Sequence, residues 1–152
     1  MLLTEILTPA RVKVPLTAGT KEGVISELID LLTANGDLKD GAKVFQAVME
    51  REKTRTTGIG SGLAIPHGKS AGVSQLVMAV GKPASPVEYQ SIDGRPVNLI
   101  FLLVSPMDMT GPHIQALARI SRLISLDSFR NRLLAAQTSQ DLFAAIKGHE
   151  EP

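Results

Sequence analysis

The run Val97-Asn98-Leu99-Ile100-Phe101-Leu102-Leu103-Val104 constrains this chain more than any other stretch. It is apolar at every position but Asn98 and shows no alternation. A strand with one face in water alternates apolar and polar residues; a strand buried on both faces does not. The run is far too short to cross a membrane. It predicts a central strand with helices packed on each side of its sheet. A chain of 152 residues, 43% of them hydrophobic, supports one such core and not comfortably two.

The flanking sequence supplies those helices. Val12 and Val14 alternate with charged residues and predict a short strand between Pro9 and Pro15. Thr20 reads as an N-cap, followed by Val24, Ile25, Leu28, Leu31 and Leu32 at helical spacing and a stop at Asn35-Gly36. A second helix is expected from Asp40 to about Glu52, with Val44, Phe45, Val48 and Met49 on one face and Arg51 and Lys53 in its last turn. Leu63-Ala64-Ile65 and Leu76 to Val80 read as strands, and Pro83 to Gly94 as a loop with a short edge strand. Pro112 opens a third helix whose inward face is expected at Ile114, Leu117, Ala118, Ile120, Ser121 and Ile124. A short helix begins at Asp127 or Ser128, and Ser139 caps a last one through Ile146. Gly148 to Pro152 reads as a polar tail, so the domain is expected to span residues 1–148, with 149–152 outside it. Strands interleaved with helices predict a single α/β domain.

Charge and composition remove several function classes. Lys and Arg number 16 against 15 Asp and Glu, with no basic run, which predicts no nucleic-acid partner. Cysteine is absent, so thiolate chemistry, disulfides and cysteine-based metal sites are excluded. The opening Met1-Leu2-Leu3-Thr4-Glu5 lacks a basic and apolar leader. A cytoplasmic protein with no membrane insertion is expected.

Thr54 to Gly72 departs from every regular period and carries glycines at 58, 60, 62, 68 and 72. A dinucleotide fingerprint would need glycine where Leu63 stands. Gly68-Lys69-Ser70 ends like a phosphate-binding P-loop, but the glycine five positions before Gly68 is again replaced by Leu63. An esterase elbow around Ser61 would need glycines where Ile59 and Leu63 stand. His67, His113 and His149 have no zinc-ligand spacing, so no metal and no cofactor is expected.

What survives is His67. Pro66 fixes its own φ and biases Ile65 to an extended conformation, so the backbone entering His67 is stiff. Glycines on both sides permit close approach of a ligand, and successive amides over Thr57, Gly58, Gly60, Ser61 and Gly62 are candidates for an anion-binding concavity. A histidine with an ordinary pKa of ~6.5 is mostly neutral at pH 7 and has one nitrogen free to attack phosphorus. Its other nitrogen is expected to donate to a carbonyl, which fixes the tautomer. On residues alone, a plain turn histidine remains an open alternative.

Thr57-Gly58-Ile59-Gly60-Ser61-Gly62-Leu63-Ala64-Ile65-Pro66-His67-Gly68 resembles the phosphorylation-site signature of the mannitol/fructose-type IIA domains of the bacterial phosphoenolpyruvate-dependent phosphotransferase system. Arg51-Glu52-Lys53 resembles the tripeptide that precedes that signature. Ile92-Asp93-Gly94-Arg95-Pro96-Val97-Asn98-Leu99 resembles its turn and central strand, and Pro112-His113-Ile114-Gln115 its second histidine at the start of a helix. The resemblance covers nearly the whole chain.

It implies a mixed β-sheet flanked by helices on both faces. It also implies that His67 accepts a phosphoryl group through Nε2 from a phosphorylated histidine on HPr or its nitrogen-branch relative NPr. Arg51 then pairs with phosphate oxygens through its planar fork, and His113 donates a further hydrogen bond. Arg55 stands where such domains often carry a small or uncharged residue. His149 is given no role. The nitrogen-regulatory branch is the first expectation, since no membrane or IIB part is visible in this sequence. Phosphate delivery to a fructose- or mannitol-type IIB is the alternative, and a regulatory module that is never phosphorylated is the third.

Overall fold

The computed structural model describes residues 1–150. Its sheet has six strands: β1 (Val12–Leu16), β2 (Gly58–Gly60), β3 (Leu63–Ala64), β4 (His67–Lys69), β5 (Val77–Pro83) and β6 (Leu99–Ser105). Five helices surround it: α1 (Lys21–Ala34), α2 (Gly41–Thr54), α3 (Thr110–Ile124), α4 (Asp127–Ala135) and α5 (Ser139–Glu150). The order across the sheet is β1-β5-β6-β3-β2, and β4 also pairs with β6. β5 runs antiparallel to β6, while β3 and β4 run parallel to it in succession. The expected mixed sheet with helices on both faces is what forms.

The apolar run becomes the centre of this sheet, and all seven residues of β6 are buried. Leu99, Phe101 and Leu103 enter a core built with α3, α4 and α5; Ile100, Leu102 and Val104 enter a second core with α1 and α2. That is the period of two expected of a strand, with apolar partners on both sides. Truncating Phe101 to alanine would cost about 3–5 kcal/mol. Thr20 caps α1 by accepting from the Gly23 amide at 3.0 Å, and Asp40 caps α2 through the Lys43 amide at 3.1 Å.

Three local readings change. The inward face of α3 is His113, Ala116, Ile120, Leu123 and Ile124, not the stripe through Ile114, Ala118 and Ser121; Ile114 is 60% exposed. The helix starts at Thr110, and its face turns so that a histidine rather than an isoleucine meets the end of β6. The cap of α5 is Thr138, whose hydroxyl accepts from the Asp141 amide at 3.0 Å. The expected polar tail is helical through Glu150. Glu150 is buried because its carboxylate accepts from the Leu3 and Thr4 amides at 2.7 and 3.0 Å and pairs with Arg119. It fastens the amino-terminal turn to the last helix. Of that expected tail, 151–152 lie outside the described residues.

Candidate functional site

β4 carries His67 at its start, level with Leu103 of β6. Beyond β6, Pro106 to Met109 reverse the chain, and the first turn of α3 settles back over Ser105. His113 therefore lies beside His67, their rings edge to face with centroids 5.7 Å apart. Gly68 brings in the third element. A β-carbon there would stand 3.1–3.2 Å from the backbone of Ala47 and Val48, so glycine lets α2 rest directly on β4. One helical turn further along α2 comes Arg51, on the wall of the same depression as His67.

His67 is partly buried, and its Nδ1 lies 2.8 Å from the Ile65 carbonyl oxygen. A carbonyl only accepts, so Nδ1 carries the proton. In the neutral ring, Nε2 then holds the free lone pair. Burial pushes the His67 pKa below its ordinary value; the Ile65 carbonyl opposes this, Arg51 reinforces it, and Glu52 opposes it. The His67 ring is thus uncharged near neutral pH. His113 is only 4% exposed and pushed down to about 4, first by burial and then by the charges of His67 and Lys69. Its Nδ1 meets the Ser105 Oγ at 2.7 Å.

The depression holding His67 measures about 290 Å³ and is lined by Arg51, Arg55, Thr56, Thr57, Ile59, Ile65, Ile92, Leu117 and Ser121. The lining contains two arginines and no acidic residue. The Arg51 guanidinium donates to the Arg55 carbonyl at 2.9 Å, which holds its stem against the end of α2. A larger cavity of about 630 Å³, bounded by Lys21, Met49, Glu52 and Thr56 among others, does not include His67. The smaller one holds His67 with Arg51 and Arg55; His113 lies beside His67 but is not part of its lining.

The glycine loop is built differently from the cradle expected of it. Thr57 reaches the depression, but Gly58, Gly60, Ser61 and Gly62 are not in its lining. Several amides are already taken: Thr57 N–H donates to Glu52, Gly58 N–H to the Thr56 hydroxyl, and Ser61 N–H to Asp93. These hydrogen bonds satisfy donors that an incoming anion would otherwise use. The glycines instead serve shape. Gly60 and Gly62 take φ of +100° and +80° around the β2–β3 turn, a region that a β-carbon makes costly.

One network was not legible as such in the sequence. Glu52 is 5% exposed, yet it is the next residue four positions on from Val44 and Val48 along the buried face of α2. Its carboxylate accepts from the Thr57 amide and hydroxyl at 2.8 and 2.5 Å and pairs with Lys21 at 2.8 Å. Burial alone would raise its pKa, but Lys21 and Thr57 outweigh this and hold it below the usual value. The Tyr89 hydroxyl completes the group, 3.0 Å from the Thr57 hydroxyl, and burial followed by the Glu52 charge keeps it protonated. The network ties the strap entering β2 to α2, and so holds Thr57 in the lining of the depression. A charge on an otherwise apolar helical stripe is the signal that marks it.

The site is thus a single-tautomer histidine in a depression that also holds two arginines, beside an α/β sheet. Residues 5–149 match the family described as phosphoenolpyruvate-dependent sugar phosphotransferase system, EIIA 2, and the chain belongs to it. It is 34% identical over 151 residues to the fructose-specific EIIABC component of Bacillus subtilis, covering 99% of this chain and 24% of that protein. It is 33% identical over 144 residues to a nitrogen regulatory protein of Pseudomonas aeruginosa, covering 95% of this chain and 94% of that one. The crystal structure of nitrogen regulatory protein IIA-Ntr from Neisseria meningitidis superposes with a TM-score of 0.85 at 34% identity, over 93% of this chain and 97% of that chain. The chain thus spans about a quarter of the multidomain sugar-specific relative and nearly all of the regulatory one. Among the described residues, no helix is long and apolar enough to cross a membrane.

Proposed function

We propose that the chain is a phosphohistidine carrier that takes a phosphoryl group onto His67 Nε2 from a phosphorylated histidine of HPr or NPr. The observation that carries this reading is the Nδ1–H bond to the Ile65 carbonyl, which leaves Nε2 as the one nucleophilic nitrogen in an uncharged ring. In the transfer, the Nε2 lone pair forms the bond to phosphorus, and the bond to the donor's ring nitrogen breaks with its electron pair. The His67 ring gains positive charge, which the Ile65 carbonyl stabilises through Nδ1–H. Phosphoryl transfer passes through a loose transition state, so positioning and charge neutralisation are the protein's main tasks. Arg51 serves the second, and His113 donates from the side.

The regulatory, nitrogen-related branch is supported by similarity to nitrogen regulatory relatives, at 33% identity in sequence and at 34% identity with a TM-score of 0.85 in structure. Similarity to the fructose-specific component supports the second reading, delivery to a fructose- or mannitol-type IIB. The reading carries a cytoplasmic location with it, where such a carrier would meet its phosphoryl donor. Incubation with phosphoenolpyruvate, enzyme I and HPr or NPr tests the proposal. It predicts an acid-labile label on the wild-type chain and none on His67→Ala; a labelled His67→Ala, or an unlabelled wild type, would refute it. Chase with a fructose-type IIB separates the branches: retained label supports regulation, rapid loss supports transport.

A further inference from the structure

Ser105 ends β6 with a side chain that is 0% exposed. Its Oγ has one hydrogen-bond partner, His113 Nδ1 at 2.7 Å. A hydroxyl has one proton and two acceptor lone pairs; a neutral imidazole has one N–H and one bare nitrogen. Two arrangements are therefore open. If His113 Nδ1–H donated to Ser105, the serine proton would be left without an acceptor in a dry site. If the Ser105 hydroxyl donates to Nδ1, the serine proton and the Nδ1 lone pair satisfy each other, and the His113 proton sits on Nε2, which has no acceptor among the described residues and is left to bond an incoming group. Buried polar hydrogens that go unbonded are costly, so the second arrangement prevails.

We infer that Ser105 is a positioning residue that holds His113 as the Nε2–H tautomer, so that it presents a hydrogen-bond donor to a group carried on His67. Its functional half rests on the phosphocarrier reading; the tautomer does not. Burial keeps the His113 ring uncharged at neutral pH, and tautomer rather than protonation then decides what it offers. The ring edge bearing Nε2 lies across from the Nδ1 that Ser105 engages, and the His67 ring is 5.7 Å away, centroid to centroid. A bare Nε2 there would set a lone pair against phosphoryl oxygens. The two histidines thus take opposite tautomers: a backbone carbonyl makes His67 a nucleophile, and a serine hydroxyl makes His113 a donor.

Two-bond proton–nitrogen NMR of the uniformly ¹⁵N-labelled chain at pH 7 reads the tautomer directly. The expected spectrum has His113 protonated on Nε2, with an Nδ1 shift typical of a hydrogen-bond acceptor that disappears in Ser105→Ala. An Nδ1–H tautomer in the wild type overturns the inference. The functional arm follows the rate of His67 labelling by phosphorylated HPr. Ser105→Ala should slow it about tenfold through kcat with KM for the carrier unchanged, the size expected for one hydrogen bond to a charged group. Ser105→Thr, which keeps the hydroxyl, should restore it. In a His113→Gln background, whose amide donates without help, Ser105→Ala should add nothing. An equal slowing in both backgrounds, or no slowing in either, refutes the positioning role. A wild type with the Nε2–H tautomer that is never labelled refutes the phosphocarrier reading and supports the tautomer assignment.

Discussion

His67 and His113 are both partly or fully buried, both held below the ordinary histidine pKa, and within one ring's width of each other. They differ in what binds Nδ1. His67 meets a carbonyl that no side-chain substitution removes; His113 meets a serine hydroxyl that a single substitution does. They differ also in access, since His67 opens on the depression and His113 is 4% exposed. The comparison teaches that in this site identity of residue type says little: on the reading proposed above, partner and exposure divide one imidazole into a nucleophile and the other into a donor.

The largest effect should come from exchanging the two roles. His67→Gln is expected to lose phosphoryl acceptance entirely, whereas His113→Ala, which removes the donor, should keep it at a rate roughly tenfold lower, the scale of one charge-assisted hydrogen bond. Rates of label uptake check both, and uptake by His67→Gln at the neighbouring ring would break the division of labour. Next in size is Glu52→Ala, which strands Lys21 and unties Thr57. Breaking a buried pair of this kind costs about 3 kcal/mol, readable as a lower urea midpoint.

Acid should weaken the fold before the carboxylates titrate. His113 has a folded pKa of about 4 against about 6.5 unfolded, so between those values the unfolded chain binds the extra proton and stability falls as pH falls. From about pH 7 to about pH 5 the loss should be about 2 kcal/mol. His67, shifted in the same direction, adds to it. His113→Gln should flatten the slope in denaturant titrations; an unchanged slope would mean that His113 is not the group responsible. Smallest is Arg51→Lys, which keeps the charge but loses the fork. It should slow labelling about tenfold or less, with the fold unaffected.

Much of the fold was legible because its signals are local. The apolar run from Val97 to Val104, broken only at Asn98, announced β6, which forms over Leu99–Ser105, and Thr20 and Asp40 announced their helices through chemistry within three residues. The face of α3 was not legible, because Ile114 is an apolar residue left in water while His113 takes the buried position. Periodicity assigns apolar residues inward, and here that rule fails beside the functional site. The glycine loop was legible as a place, but the bonding of its Thr57 and Ser61 amides was not, because their partners, Glu52 and Asp93, lie 5 and 32 positions away. Ser105 carried no signal at all. Only the chain reversal after β6 reveals that it faces His113.

The central claim is that His67 Nε2 is the phosphoryl-accepting atom. Its most direct test is paired ¹⁵N and ³¹P NMR of the wild-type chain after treatment with phosphoenolpyruvate, enzyme I and HPr or NPr. The account predicts one phosphorus signal, coupled to His67 Nε2, with Nδ1 still protonated. Phosphorus on Nδ1, on His113, or on no residue of the chain would contradict it.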